Sequence, residues 1–310
     1  MSEIHLLVPC SAHKTSSVPE SMYMGKHRTS DLMHSLNTWV EAFEQHSERY
    51  PASDLYLGQA FQYAKKLAED HQFKLSIMSA GFGLVSSDVK LPSYNATFAN
   101  NIDRVPVPHT HWWSSVCQST LPGASIFAYM ASNPSGRFIL CVSNEYLRAI
   151  QEDLLFVLEN NAINNEDIVI IASSIPKKLQ AFKSLFIQAS RKVLFHSKSA
   201  ECGLALTDRH VTSIATYLFV EQLRLTKAPF NAIIPALNKE LQTLTVPTKP
   251  SRIRRDDDFI ISFIEKAFIE HDGVGQGRLF KQYKDEGNAC TDTRFRSLYN
   301  RIKLTKAQRD

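Results

Sequence analysis

The chain has 310 residues, of which 44% are hydrophobic and 21% charged, a composition that excludes an intrinsically disordered protein and fits a soluble globular one. No apolar run approaches the roughly 20 residues that cross a bilayer, and the opening MSEIHLLVPCSAHK lacks a basic leader and a long apolar core, so a cytoplasmic protein is expected. The formal charge is +4, and residues 251–310 carry 13 Lys and Arg against 10 Asp and Glu, whereas the rest carry 22 against 21.

In chain order, short apolar runs that end in Ser, Asn or Gly predict strands at 5–9, 74–80, 125–131, 137–143, 167–173 and 192–197. Helical spacing occupies 31–46, 54–71, 144–161, 177–189 and 208–225. Strands alternating with helices predict an α/β domain over residues 1–225, with a mainly parallel sheet flanked by helices. In such a sheet, ligands bind outside the carboxyl ends of the strands. The HTHWW stretch at 109–113 reads as a loop that packs its tryptophans.

Residues 226–256 hold four prolines and a charge run, and the PTKPS core reads as a linker. Three helical patterns follow within 257–310, the last with Thr291 or Asp292 as a cap. With Arg294, Arg296, Arg301 and Lys303 on the third, they resemble a helix-turn-helix module. The other reading of this basic end is a small helical docking domain with a solvated face.

The five cysteines are scattered without a CxxC pair, so neither a disulfide framework nor a metal site is expected. No GxGxxG or Walker loop is present, so no nucleotide cofactor is expected. Chemistry is concentrated instead in three stretches: VPCSAHKT (8–15), DLYLGQAF (54–61) and SAGFGLVSSDVKLPSYNATF (79–98).

Those stretches resemble the YaaA-like family, whose members carry a CS-x-x-K loop, a Tyr-x-Gly or Tyr-x-Ser helix start and an SA-x-x-GLL…D…P-Y segment. The matching residues are Cys10, Ser11 and Lys14, then Tyr56 and Gly58, then Ser79, Ala80, Gly81, Gly83, Leu84, Asp88, Pro92 and Tyr94. The PCS-x-x-K loop followed by MYMGKH is also similar to the uracil-DNA-glycosylase-like domain of archaeosine synthases. KVLFHSKSAECGL (192–204) is similar to the HPSPLSA loop of uracil-DNA glycosylases, through His196, Ser197, Ser199, Ala200 and Gly203. The acidic residue of the first strand-end loop in those enzymes is here replaced by Cys10, Ser11 and Lys14, and both prolines of their histidine loop are missing.

The resemblance implies a glycosylase-like fold and a DNA N-glycosylase that removes a modified base. Anti-phage enzymes that excise glucosylated hydroxymethylcytosine from viral DNA set the context. Such chemistry needs the base extruded into a fitted pocket and a donor placed where negative charge develops. His196 and Lys14 are candidate donors. Asp88, Glu145 and Asp208 are candidate carboxylates, of which Asp88 is the leading one. Cys10, Ser11, Ser79, Gly81, Phe82, Gly83, Tyr94, Ser143, Asn144 and Ser197 are expected to line the substrate site, and Tyr146 is a further stacking candidate. Double-stranded DNA is the expected partner, with no membrane role, and the oligomeric state stays open. The alternatives are a non-catalytic DNA-binding stress protein and a tRNA base-modifying enzyme.

Overall fold

The computed structural model describes residues 3–160, 163–247, 251–271 and 274–307. The chain divides into two compact units, Met1–Val246 and Pro247–Asp310.

The first unit is built on a six-stranded sheet: β1 (Ile4–Pro9), β2 (Lys74–Ser79), β3 (Gly83–Ser86), β4 (Arg137–Cys141), β5 (Ile168–Ala172) and β6 (Phe186–Gln188). The order across the sheet is β3-β2-β1-β4-β5-β6. All neighbours are parallel except β3, which turns back on β2. The central strands read as continuous apolar runs because both of their faces are covered: Leu6, Leu7, Ile139, Leu140, Ile170 and Ile171 are fully buried.

Helices α1 (Leu32–Gln45), α2 (Gln59–His71), α3 (His109–Gln118), α4 (Ile126–Ala131), α5 (Asn144–Glu159), α6 (Val211–Thr226) and α7 (Phe230–Thr243) surround the sheet. The crossover through α2 runs to β2 on one side of β1, and the crossover through α5 runs to β5 on the other side of β4. Right-handed connections therefore put α2 and α5 on opposite faces. Helix α6 packs beside α2, while α3 and α4 pack on α5.

Five expectations are corrected here. The SIFAYMA run at 125–131 is not a strand but contains α4. Ser125 caps its Ala128 N–H at 3.0 Å, and the Asp153 carboxylate accepts from Ile126 N and Phe127 N at 2.6 and 3.1 Å. A carboxylate at the first turn of a helix offsets the β-propensity of Ile and Phe. Asp153 also accepts from the Trp113 indole at 2.8 Å. Burial pushes its carboxyl up from the ordinary range, against the pull of those three donors.

The run at 192–197 is likewise not a strand, since Arg191–Phe195 form a 3₁₀ turn. The sixth strand comes from the end of the segment expected to be helical at 177–189, where Lys177–Leu185 are also 3₁₀. Its outer edge is met by a side chain: Asn238 on α7 donates to Phe186 O at 2.7 Å and accepts from Gln188 N at 3.3 Å.

The expected linker at 226–256 instead holds α7, which buries Phe230, Ile233, Ile234, Leu237 and Leu241 in the main core. Residues 248–250, the middle of PTKPS, lie outside the described residues. The HTHWW stretch is the start of α3 and not a loop, although its tryptophans are buried as expected.

The second unit contains α8 (Asp257–Glu270), α9 (Gln276–Asp285) and α10 (Asp292–Ala307), with a short parallel pair of β7 (Ile253–Arg254) and β8 (Asn288–Ala289). Ile260, Ile264, Leu279, Tyr283, Phe295 and Leu298 form its own core. Asp256 caps α8 and Thr291 caps α10. The connection from α9 to α10 includes β8 and is longer than the three- or four-residue turn of a helix-turn-helix. Among the described residues, no helix is long and apolar enough to cross a membrane.

Asp153→Ala removes one acceptor from three donors at once and is expected to destabilise the first unit by about 3 kcal/mol or more. Urea unfolding of the variant against the native chain measures this; a loss under about 1 kcal/mol would show that water replaces the carboxylate.

Candidate functional site

Strand β1 has a parallel neighbour on each side, reached by connections that leave in opposite directions, so the strand order reverses between β1 and β4. Beyond the carboxyl ends of these two strands the structure opens into a cavity of about 940 Å³, at the upper end of the usual range for small-molecule sites. Cys10 and Ser11 reach it from β1, and Ser143 and Tyr146 from the start of α5. Its other wall is formed by the first turns of α2 and α6, with Asp208, Arg209 and His210 leading into α6.

The loop after β1 is held by several short-range contacts. Cys10 N donates to Met78 O at 2.9 Å, which extends the sheet pairing by one residue. Lys14 and Tyr56 form an isolated antiparallel bridge, flanked by Thr15 N to Leu55 O at 3.0 Å and Leu57 N to His13 O at 2.9 Å. Ser11 Oγ accepts from Gly58 N at 3.0 Å and donates to His13 O at 3.0 Å. Gly58 has to be glycine because a Cβ there would lie 2.6 Å from that of Ser11.

Lys14 is placed differently from expectation. It does not line the cavity; its ammonium lies 5.1 and 4.8 Å from the ring centres of Tyr56 and Tyr94 and donates to Ser11 O at 2.6 Å. Burial draws its pKa down, opposed by the charge that Cys10 can carry. Beneath it, the Tyr94 hydroxyl meets those of Tyr56 and Ser79 at 2.9 and 2.6 Å. Burial first, and then the neighbouring Cys10, raise the Tyr56 and Tyr94 hydroxyls well above their ordinary range. Tyr146 is raised for the same reasons and lies 3.0 Å from Cys10 Sγ. All three phenols stay protonated at neutral pH.

The SAGFG turn supports this network and is not open to a ligand. Ser79 Oγ accepts from Gly81 N and Phe82 N at 3.2 and 3.0 Å, and the Trp39 indole donates to Gly81 O at 2.8 Å. Phe82 and Tyr94 are fully buried, so neither offers a face to a base. Gly83 has φ +76°, and a Cβ would meet Cys117 Sγ at 3.0 Å, so glycine is required on both counts.

Several expected site residues lie elsewhere. Asp88 is exposed in the turn after β3, where Ser87 N bonds Leu75 O at 3.2 Å. Leu75 is near the start of β2, so this turn is at the amino end of the parallel strands, away from the cavity. His196 is buried against α7, its Nε2 2.7 Å from Glu240 Oε1 and its Nδ1 accepting from Lys198 N at 3.2 Å. Ser197 is exposed beside it. Asn144 accepts from Ser174 Oγ at 2.8 Å. Of the expected residues, Cys10, Ser11, Ser143, the stacking candidate Tyr146 and the candidate carboxylate Asp208 line the cavity.

The structure adds a histidine that the sequence reading missed and brings Asp208, one of the three candidate carboxylates, beside it. His210 lines the cavity and its Nδ1 lies 2.9 Å from Ala205 O, so Nδ1 carries the proton and Nε2 is left as a base. Asp208, also in the lining, is ion-paired with Arg191 at 3.1 Å. The TDRH run before α6 is legible as a helix start, but nothing in it foretells proximity to Cys10. Among the described residues, no cluster of three or more His, Cys, Asp or Glu could hold a metal ion.

A model for a family of unknown function (DUF6884) matches residues 42–154. The match runs from the later half of α1 into α5. It includes the Tyr56–Gly58 corner and the SAGFG turn but neither the Cys10 loop nor the α6 wall. No curated protein and no solved structure matches the chain.

In the second unit the expected basic residues are partly occupied. Arg294 bonds Asp257 through Nε and Nη2 at 2.8 and 2.6 Å, and Arg296 pairs with Asp292 at 2.5 Å. Arg301 and Lys303 are exposed on α10. Arg278 and Lys281, one turn apart on α9, are also exposed.

Lys14→Ala should cost about 1–3 kcal/mol of stability, from two aromatic contacts and a charged hydrogen bond, and Lys14→Met should recover part of it through packing. Denaturation curves of the two variants check this. No change in either would mean that the ammonium is dispensable to the loop.

Proposed function

We propose that this chain is a DNA N-glycosylase that takes an extruded nucleotide into the cavity between β1 and β4 and removes its base. The observation that carries the reading is the cavity at the reversal of strand order, roomy enough for a nucleoside and lined by a histidine base, a carboxylate and buried hydroxyl donors. The expected catalytic set is revised to fit the cavity, with His210 and Asp208 in the roles first given to His196 and Asp88.

In this reading His210 Nε2 takes a proton from water as its oxygen adds to the anomeric carbon. The carbon–nitrogen bond breaks, and its electron pair leaves with the base. Asp208, fixed by Arg191, faces the positive charge that develops on the sugar. Tyr146 and Ser143 donate toward the negative charge on the departing base. The resemblance of the Cys10, Tyr56 and Ser79 stretches to YaaA-like and glycosylase-like proteins supports the substrate class, and glucosylated hydroxymethylcytosine of phage DNA is the proposed base.

The test is incubation of the purified chain with ordinary DNA and with T-even phage DNA carrying glucosylated hydroxymethylcytosine, followed by assay for alkali-labile sites. Breaks confined to the modified DNA are expected, reduced about 10²–10⁴-fold in Asp208→Asn and His210→Gln. Retention of DNA without breaks would instead establish a binding protein.

The exposed cations on α9 and α10 are the proposed contacts with the DNA backbone. Arg278→Glu with Lys281→Glu should weaken DNA binding and reduce the slope of log affinity against log salt by about 2. An unchanged slope in fluorescence-anisotropy titrations would remove this face from the interface.

A further inference from the structure

The wall formed by α2 and α6 has a property that base recognition leaves unexplained. Helix α2 starts directly on the cavity, and no side chain caps it. The N–H groups of Gln59, Ala60 and Phe61 meet no acceptor among the described residues. Three aligned donors at the positive end of a 13-residue helix favour an anion.

A second observation comes from the neighbouring helix of the same wall. Ser213, in the first turn of α6, is only 6% exposed and lines the same cavity. Its hydroxyl has no hydrogen-bond partner among the described residues, whereas its neighbour Thr216 is satisfied by Thr212 O at 2.9 Å. A hydroxyl without a protein partner in a cavity lining is free to donate to a ligand oxygen. The nearby charges are compatible: Arg209 is exposed at the rim, and Asp208 is engaged by Arg191.

We propose that the first turn of α2 and the Ser213 hydroxyl form a seat for one phosphate group of the ligand. The seat deepens the glycosylase reading and rests on the same cavity, with the phosphate being one that flanks the extruded nucleotide. It makes the cavity selective for nucleotides over nucleosides.

Two substitutions probe the seat. Gln59→Pro deletes one donor at the first helical position, where proline is tolerated, and Gly58 is already extended at φ −62°, ψ 137° as a residue before proline must be. Ser213→Ala deletes the hydroxyl. Calorimetric titration of the full-length chain with dCMP, deoxycytidine and inorganic phosphate is the readout, with thermal melts confirming that both variants fold.

The native chain should bind dCMP about tenfold or more tightly than deoxycytidine, and inorganic phosphate should compete with dCMP. Each variant should lose about three- to tenfold for dCMP and nothing for deoxycytidine. Equal binding of dCMP and deoxycytidine, or no binding of dCMP and phosphate at millimolar concentration, would overturn the seat. Phosphate-dependent binding without abasic sites in any DNA would keep the seat and remove the glycosylase reading. Abasic sites formed at the native rate by both variants would do the reverse.

Discussion

Strand β1 is flanked by parallel strands on both sides, and this constraint governs the rest of the first unit. Its apolar residues admit no solvent-facing edge, so the chain must leave it in one direction to form β2 and return later on the other side to form β4. The two connections diverge above its carboxyl end, and the space between them cannot be filled by either helix. Cys10, Ser11, Ser143 and Tyr146 come together there because each is the first polar residue, or nearly so, after a buried strand ends. The cleft is thus a product of topology before it is a product of any one side chain.

A floor of aromatic hydroxyls keeps the cleft in shape. Tyr56, Tyr94 and Ser79 exchange hydrogen bonds out of solvent, and the Lys14 ammonium closes the top of that cluster while tying down the carbonyl of Ser11. Three segments distant in sequence meet in this cluster: the loop after β1, the corner before α2 and the segment beyond β3. They are the three stretches in which the sequence concentrates its candidate residues. Their composition is therefore explained by mutual support at least as well as by contact with a ligand.

That distinction accounts for what was legible in the sequence. The parallel sheet was visible because buried strands write themselves as apolar runs, and the Thr291 cap stands where the last helix begins. SIFAYMA misled because its local propensity favours a strand, and the residue that makes it a helix, Asp153, lies more than twenty positions away. His196 and Asp88 were drawn into the site by motif likeness, while sheet direction sends Asp88 to the opposite end and α7 claims His196. His210 and Ser213 carried no signal because their significance comes from α6 lying beside α2, a pairing between elements about 150 residues apart.

The side chain of Asn238 on the outer strand has a consequence for how copies of this chain can meet. It occupies the carbonyl of Phe186 and the amide of Gln188, the groups through which β6 could recruit another strand. At the other border, Leu84 exchanges both main-chain hydrogen bonds with Ala124, at 2.9 and 2.8 Å. Both margins of the sheet are thereby blunted against edge-to-edge growth. Association of this unit, with itself or with a partner, must therefore proceed through helical or loop surfaces and not by lengthening the sheet.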